Sequence, residues 1–298
     1  MRNDTTENPI VVTATNEGYS YPLSVMLKSL ELNLEDECRV KVFILFSSLS
    51  ERTKKEIAAS LNPDKLILNW IEVNQDKFLE LKISGHISID TYYRLLIEEK
   101  FPDFDRVIYL DADLIVNRCI CKLWKANFNG KPLLAVPNAS RLSGFVSGER
   151  GLPSYKILGI PPNTKTFNAG VLILNLRLWR RDDISAKVIE YLKQYHEYVL
   201  WWDQDGLNAI LYDTWEPLPA VWNVMTNHLA TFSSWEDSLL SKYVYRSVRR
   251  NPGIVHYSGP LKPWLPDYAG PFQHLFFEYA SQLSSKSFPN FNKVLVNP

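Results

Sequence analysis

Cysteine is scarce in this sequence, with only Cys38, Cys119 and Cys121 among 298 residues. An odd number of cysteines without regular spacing does not provide the framework of a disulfide-rich secreted domain. Cys119 and Cys121 also lack the second cysteine pair that a metal site of the usual spacing requires. We therefore interpret all three as ordinary thiols and expect a cytoplasmic protein in a reducing compartment.

Long apolar runs and an excess of one charge are absent too. No apolar run reaches the roughly 18 residues that a membrane-spanning helix needs. Residues 1–9 are polar and lack the apolar core of a signal peptide. Lysine plus arginine and aspartate plus glutamate both number 33, so charge gives no reason to expect a nucleic-acid partner. Any contact with a membrane is expected to be peripheral, at its inner face.

Two glycine-rich nucleotide-binding motifs are missing as well. No Gly-x-Gly-x-x-Gly follows the first predicted strand, which disfavours a dinucleotide cofactor, and no Walker sequence indicates a P-loop phosphotransferase. What is present is an alternation of β-rich runs, at residues 10–15, 39–46 and 66–73, with helical patterns. This alternation predicts an α/β architecture of the Rossmann type, with parallel strands and right-handed crossovers.

Local signals refine this outline. Leucines recur at helical spacing between positions 23 and 34, and Ser20 is the predicted cap of that helix. Ser50 is predicted to cap a second helix. Residues 138–160 are rich in glycine, serine, proline and arginine and show little periodicity. We interpret them as a mobile binding loop or lid that contributes little to the core.

The most informative stretch is a buried strand that ends in two carboxylates. Val107, Ile108 and Leu110 suit an internal parallel strand. Because buried charges are costly unless they are paired, the strand should end at Leu110, with Asp111 and Asp113 beyond its carboxyl end. Open α/β sheets bind their ligands at this edge. Two oxygen donors so close together suit Mg²⁺ or Mn²⁺, and the alternative is a turn with two solvated aspartates.

Other polar residues have both a functional and a structural interpretation. Arg94, on a predicted helix upstream of that strand, either contacts a phosphate, supports the carboxylates or lies on the surface. The polar groups of Asp203, Gln204 and Asp205 open a short helix, where such residues also serve as caps. His256 follows a short apolar run and precedes a Gly-Pro turn and a lysine.

Five motifs in order resemble those of glycosyltransferase family 8, nearest to bacterial lipooligosaccharide galactosyltransferases and general stress protein A-like enzymes. They are His86-Ile87-Ser88 through Arg94, Tyr109-Leu110-Asp111-Ala112-Asp113, Phe167-Asn168-Ala169-Gly170-Val171, Asp203-Gln204-Asp205 and the run from His256 to Trp264. A single Asp-x-Asp is a weak signal, whereas five motifs at the family's approximate spacing over residues 10–283 are specific.

The resemblance implies a single glycosyltransferase A-type, Rossmann-like domain over residues 1–283, followed by a C-terminal tail over 284–298. Its central sheet would be mixed, mostly parallel and flanked by helices. The implied activity is retaining transfer of a hexose, galactose or glucose, from a UDP-sugar to a hydroxyl group of a glycan or glycolipid, as in lipopolysaccharide biosynthesis. The implied cofactor is Mn²⁺, with Mg²⁺ as the alternative.

The resemblance also implies roles for individual residues. The metal ligands would be Asp111, Asp113 and His256, a mixture that suits Mn²⁺. The donor nucleotide would be held by Ala14, Thr15, Asn16, Tyr19, Ala112, Gly259 and Lys262, with Lys262 as a point charge at the diphosphate. The donor sugar would lie near Arg94, Asn168 and Asp203. Gln204 would face the anomeric carbon opposite the leaving group, and since an amide is a poor nucleophile, we expect front-face transfer.

The chain departs from the galactosyltransferase pattern at several places. Asn16 stands where those enzymes usually have aspartate, and Asn138 replaces a common aspartate on the acceptor side. The family's basic, aromatic C-terminal tail is not evident, and the segment from Lys242 to Arg250 is either its substitute near anionic lipid or a solvated segment. Two alternative functions are a catalytically inactive sugar-nucleotide-binding scaffold and, less favoured, a nucleotidyltransferase.

Overall fold

A computed structural model describes residues 8–85 and 88–283 of the chain. Two β-sheets form the framework of these residues. The main sheet has seven strands, in the spatial order β3 (Leu66–Glu72), β2 (Val40–Phe46), β1 (Ile10–Ala14), β4 (Arg106–Leu110), β7 (Phe167–Asn175), β6 (Leu133–Pro137) and β8 (Trp215–Pro217). The smaller sheet contains β5 (Leu114–Val116), β10 (Ile254–His256) and β9 (Val224–Met225).

The main sheet is mixed but mostly parallel. β1 runs parallel to both β2 and β4, β2 to β3, and β6 to β8, whereas β7 is antiparallel to its two neighbours. β1 and β4 carry β-branched and aromatic residues that are buried on both faces, as expected of strands covered by helices on either side. The predicted fold class is therefore confirmed.

Helices connect and cover the strands. Their bounds are α1 (Ser20–Leu32), α2 (Glu51–Ala59), α3 (Ile97–Lys100), α4 (Cys121–Trp124), α5 (Leu176–Arg181), α6 (Ile184–Gln194), α7 (Trp202–Ile210), α8 (Thr226–Thr231), α9 (Lys242–Arg250) and α10 (Gln273–Ala280). A 3₁₀ helix, Ile89–Leu96, precedes α3. Within the described residues, no helix is both long enough and apolar enough to cross a membrane.

The smaller sheet positions the second half of the site. β5 begins directly after Asp113 and pairs antiparallel with β10, where Leu114 lies opposite His256. The backbone N–H of Tyr257 donates to the carbonyl of Asp113 at 3.1 Å. Two segments that are more than 140 residues apart in sequence are therefore joined at the edge where β4 ends.

Two local predictions need correction. Ser20 is the first residue of α1 and its hydroxyl donates to Glu17 O, so it does not cap the helix, whereas Ser50 caps α2 as predicted. Residues 138–160 bury Val146 and Leu152 in the main core, because irregular backbone can still direct isolated apolar side chains inward. The expectation that this segment contributes little to the core is therefore wrong, whereas its role as a lid or binding loop stays a prediction.

The cysteines also differ from the prediction. Cys38 and Cys121 are paired in a disulfide across 83 residues, and buried Cys119 lies beside them. The prediction of three separate thiols failed because the fold brings the turn before β2 against the start of α4, and sequence spacing does not show this contact. His86, Ile87 and the predicted tail over 284–298 lie outside the described residues.

Candidate active site

Three ligand-type atoms converge beyond the end of β4. His256 Nε2 lies 3.8 Å from Asp111 Oδ2 and 3.5 Å from Asp113 Oδ1. These three side chains each place one ligand atom within 4.8 Å of the others. The strand end supplies both carboxylates and β10 supplies the imidazole, so the arrangement depends on the pairing of β5 with β10. The three residues predicted as metal ligands are thus brought together and form a group that could bind a metal ion.

The outward oxygen of each carboxylate is already hydrogen-bonded. Asp111 Oδ1 accepts from Arg94 Nη2 at 2.8 Å and from the Tyr109 hydroxyl at 3.0 Å. Asp113 Oδ2 accepts from Lys262 Nζ, which also donates to Tyr257 O at 2.8 Å. These donors orient the carboxylates so that their other oxygens face His256, as metal-ligating carboxylates are usually supported.

Burial and neighbouring charges set the protonation states here. Burial raises the pKa of Asp113, but the ammonium of Lys262, through its charge and its hydrogen bond, outweighs this effect, so the net direction is downward and the carboxylate stays ionised. Burial lowers the pKa of His256 more than the two aspartates raise it, which favours the neutral imidazole. Ionised carboxylates and a neutral imidazole are the forms that bind a divalent cation.

Gly170 lets these ligands approach one another. A Cβ at this position would lie 2.3 Å from His256 Cε1, 2.7 Å from His256 Nδ1 and 2.8 Å from Asp111 Oδ2. Contacts below 3 Å are not tolerated, so either ligand would have to move. The Asn-Ala-Gly motif therefore has a glycine at this position because any side chain would clash with His256 and Asp111.

A chain of amide side chains connects His256 to Gln204. Asn168 Oδ1 accepts from the backbone N–H of Gly170 at 2.9 Å and from Asn223 Nδ2 at 2.8 Å. Asn168 Nδ2 donates to Gln204 Oε1 at 2.9 Å, and this oxygen also accepts from the backbone N–H of Ala169 at 3.2 Å. Because a backbone N–H can only donate, both amide orientations are fixed by the polarity of the network.

The same polarity fixes the tautomer of His256. Asn223 uses its Nδ2 for Asn168, so its Oδ1 faces His256 Nδ1 at 3.0 Å and must accept a hydrogen bond from an N–H at Nδ1. The Nε2 lone pair is then directed toward Asp111 and Asp113. Asn223 is 3% exposed, and sequence reasoning missed it, because an asparagine before a short strand has no distinguishing local pattern.

Arg94 is buried beneath the carboxylates. It is 4% exposed, donates from Nη1 to Ala169 O, and places Nε 3.0 Å from Asp203 Oδ2. Burial lowers the pKa of Arg94, but the carboxylates of Asp111 and Asp203 raise it by more, so the guanidinium stays charged. The surface position considered for this residue is therefore wrong, and the arrangement agrees with its alternative role of supporting the carboxylates.

Each carboxylate oxygen of Asp203 lies against another side chain. The Thr91 hydroxyl donates to Oδ1 at 2.6 Å, Arg94 flanks Oδ2, and the side chain is 4% exposed. Burial is the main cause that raises the pKa of this carboxyl, and Arg94 and Thr91 oppose it. Gln204, the next residue along α7, is only partly buried.

The loop after β1 lies at the same edge of the sheet. Asn16 Oδ1 accepts from Tyr19 N at 3.2 Å, and its Nδ2 donates to Asp90 Oδ2 and to Ser88 Oγ. Burial raises the pKa of Tyr19, and the charges of Asp113 and Asp111 raise it further. Ala14 ends β1, and Thr15 is buried beside it. Asp90, which lies within the first of the five motifs but was given no role in the site, is tied to this loop.

The segment after β10 completes the site. Gly259 has φ +89, a conformation that favours glycine, and it lies against Asn227. Lys262 is 5% exposed and, as described above, its ammonium contacts Asp113. Ala112, between the two aspartates, is 6% exposed. The predicted site residues thus gather along one edge formed by the ends of β1, β4 and β10 and the start of α7.

Known proteins share this sequence and fold. The model of glycosyl transferase family 8 matches residues 10–267. General stress protein A of Bacillus subtilis (strain 168) is 30% identical over 94% of this chain and 95% of its own length. Lipopolysaccharide 1,3-galactosyltransferase of Salmonella typhimurium (strain LT2) is 26% identical over 89% of this chain and 76% of its own length.

Solved structures agree with these sequence matches. Galactosyltransferase LgtC, solved in complex with donor and acceptor sugar analogs, superimposes with a TM-score of 0.80 at 28% identity, covering 95% of this chain and 99% of that one. Its active-site variant with glutamine replaced by glutamate superimposes equally well, with a TM-score of 0.81. Since the family model spans most of the sequence, the chain belongs to glycosyltransferase family 8 and has the glycosyltransferase A-type fold.

Proposed function

We propose that this chain is a retaining, UDP-sugar-dependent hexosyltransferase that moves galactose or glucose to a hydroxyl group of a glycan or glycolipid. The observation that carries the proposal is the convergence of Asp111 Oδ2, Asp113 Oδ1 and His256 Nε2 in a member of glycosyltransferase family 8. Two carboxylates and an imidazole suit Mn²⁺, with Mg²⁺ as the alternative. Such a cation supplies positive charge to the diphosphate of the donor and stabilises the charge that develops on the leaving UDP.

The surroundings fit a divalent cation. The outer oxygens of Asp111 and Asp113 are used by Arg94, Tyr109 and Lys262, which leaves the inner oxygens to act as ligands. Asp111, Asp113 and His256 would hold the cation, and its charge would be available to the diphosphate of the donor.

The donor nucleotide would bind along the ends of β1 and β10. Ala14, Thr15, Asn16 and Tyr19 would contact uracil and ribose, and Asp90 holds Asn16 for this task. Gly259 and Lys262 would hold the diphosphate. Because Lys262 Nζ already lies at Asp113, its charge is close to where phosphate oxygens would bind, and it would act as a point charge there.

Front-face transfer suits the groups next to the donor sugar. Double displacement needs a nucleophile within bonding reach of the anomeric carbon. The residue predicted at this position is Gln204, whereas the neighbouring carboxylate, Asp203, is predicted to bind sugar hydroxyls and is enclosed by Thr91 and Arg94. Gln204 is an amide held in one orientation by Asn168 and Ala169. We therefore propose that the acceptor hydroxyl enters on the side from which UDP leaves and gives its proton to the departing phosphate.

The names of the relatives support hexose as the transferred group. One relative is a lipopolysaccharide 1,3-galactosyltransferase and one structural neighbour is a galactosyltransferase. A glutamine belongs to the active site of that neighbour, since an active-site variant replaces one by glutamate. Here Gln204 is the glutamine at the candidate site.

Donor use can be tested directly. The purified chain would be incubated with UDP-galactose, UDP-glucose and other UDP-sugars in the presence of Mn²⁺, and released UDP would be assayed. We expect hydrolysis or transfer with one of the two hexose donors and no release after chelation. UDP binding without release from any donor, with or without glycan acceptors, would instead favour a sugar-nucleotide-binding scaffold.

Domain organisation and location are part of the proposal. We propose residues 1–283 as the catalytic domain, residues 284–298 as a tail, and a cytoplasmic enzyme that meets a glycolipid acceptor at the inner membrane face. A chain ending at Leu283 should release UDP at an unchanged rate with a soluble acceptor. Sedimentation of both forms with anionic vesicles tests whether the tail contributes to membrane contact.

A further inference from the structure

The three cysteines of the chain meet in a group that shares no residue with the candidate site. Cys38 lies in the turn before β2, whereas Cys119 and Cys121 follow β5 and begin α4. Cys38 and Cys121 form a disulfide, and Cys119 Sγ lies 3.7 Å from Cys38 Sγ. All three sulfur atoms are within 4.8 Å of one another.

The three cysteines differ in how far they are exposed to solvent. Cys119 and Cys121 are 5% and 8% exposed, whereas Cys38 is only partly buried. A solvent-borne reagent therefore reaches Cys38 first. Glu35 and Lys122 form an ion pair at 3.3 Å between the same two segments, so a non-covalent contact also connects them.

We propose that Cys38, Cys119 and Cys121 form a thiol–disulfide exchange site whose substrates are low-molecular-weight thiols and disulfides. Cys38 is the shared sulfur, because it contacts both other cysteines and is the one accessible from solvent. A disulfide with a third thiol beside it is open to attack from within the protein, which a solitary buried disulfide is not.

The chemistry balances with a small disulfide, RSSR, as the oxidant. The Cys38 thiolate attacks one sulfur of RSSR, a Cys38–SR bond forms, and RS⁻ leaves and takes up a proton. The Cys121 thiolate then attacks Cys38 Sγ, forms the Cys38–Cys121 bond and releases the second RS⁻. Two protein thiols are oxidised and one RSSR is reduced to two RSH.

Cys119 adds an internal exchange step. Its thiolate attacks Cys38 Sγ, a Cys38–Cys119 bond forms, and Cys121 leaves as the thiolate, with no net change in oxidation state. Small thiols reverse the sequence by attacking Cys38 Sγ from solvent. The site would thus hold three states, namely fully reduced, Cys38–Cys121 and Cys38–Cys119.

The position of the site connects it to β5. Only β5 and a short turn separate Cys119 from Asp113, and β5 pairs with β10, which carries His256. Closing the disulfide ties the end of this strand to the turn before β2. We expect the oxidised chain to resist unfolding more than the reduced chain, because the bond cross-links residues 83 apart in sequence.

The experiment uses the full chain and glutathione disulfide as the probe. Wild type and the variants Cys38→Ser, Cys119→Ser and Cys121→Ser would be reduced, oxidised, alkylated and mapped by peptide mass spectrometry. We expect wild type to lose two of its three thiols and to show both pairings, Cys119→Ser only Cys38–Cys121, and Cys121→Ser only Cys38–Cys119. Cys38→Ser should keep both remaining thiols.

Thermal unfolding provides the second measurement. Oxidised wild type should melt at least about 5 °C above the reduced form, whereas Cys38→Ser should show no difference, with circular dichroism confirming that the variant is folded. The proposal is overturned if the wild type keeps three thiols, if Cys119 pairs with Cys121, or if the reduced chain binds one Zn²⁺ through the three sulfurs. None of these outcomes depends on glycosyl transfer.

Discussion

His256 Nδ1 lies 3.0 Å from Oδ1 of Asn223, and this contact determines which nitrogen of the imidazole faces the two aspartates. Asn223 cannot turn its amide around without placing its carbonyl against Asn168 Oδ1, which already accepts from Gly170 N. The orientation of a candidate metal ligand is thus traced to a backbone N–H on β7. The same network orients Gln204, so the predicted metal ligands and the predicted catalytic amide form one unit.

Replacing Asn223 should weaken metal binding while the carboxylates stay in place. Asn223→Ala removes the acceptor of His256 Nδ1, so both tautomers and other ring orientations become available. We expect Mn²⁺ affinity to fall by about 10- to 100-fold, the usual effect of removing such a supporting group, as measured by calorimetric titration. Asn69→Ala, on the edge strand β3, is the control and should leave affinity unchanged. Equal affinity of Asn223→Ala and wild type would contradict the assignment.

The pair of Asp113 and Lys262 should respond differently to single and double substitution. Both side chains are buried, so Asp113→Ala leaves an ammonium without its carboxylate and should destabilise the fold by about 3 kcal/mol. Adding Lys262→Met removes that charge and should recover part of the loss, as chemical denaturation can measure. Both variants should lose Mn²⁺ binding. Additive losses of stability in the double variant would argue against the pairing.

Gly170→Ala should affect the metal site more than the fold. The added Cβ meets side-chain atoms of His256 and Asp111, which can rotate away, so the protein should remain folded but bind Mn²⁺ more weakly. Gly130→Ala is the matched control, because Gly130 has φ +77 and open space around its Cβ position. It should cost about 1 kcal/mol of stability and leave Mn²⁺ affinity unchanged. Unchanged Mn²⁺ affinity in Gly170→Ala, together with weaker Mn²⁺ binding in Gly130→Ala, would exclude a steric effect of the added Cβ at the metal site.

Local patterns predicted much of this structure, and the misses share one cause. The apolar runs at β1 and β4 and the end of β4 at Leu110, just before the paired aspartates, are encoded in neighbouring residues, so these strand predictions were confirmed. Asn223, the burial of Arg94 and the meeting of Cys38 with Cys121 depend on contacts between distant segments. Residues 138–160 show the same limit, since Val146 is directed into the core by tertiary backbone hydrogen bonds instead of periodicity.

Asp205 should make stability depend on pH. Burial raises the pKa of this carboxyl from 3.8 to about 7, although the backbone N–H groups of Leu200 and Trp201 donate to Oδ2 and oppose the shift. A raised folded-state pKa means that its stabilisation is complete below about pH 4 and is lost as the pH rises through about 7. Asp205→Asn keeps an acceptor and does not titrate, so its stability relative to wild type should increase between pH 5 and 8. Parallel curves of unfolding free energy against pH would refute this.

Gln204 should support the reaction without being essential to it. Its amide is fixed by Asn168 and Ala169, and an amide does not form a glycosyl adduct readily. In front-face transfer it stabilises a cationic centre, so Gln204→Ala should reduce turnover by about 10- to 100-fold, whereas loss of a true nucleophile would nearly abolish it. Product anomers, read from NMR coupling constants, should match the α-linked donor. A glycosyl adduct trapped on Gln204 or Asp203 of the wild-type enzyme, or an inverted product, would rule out this mechanism.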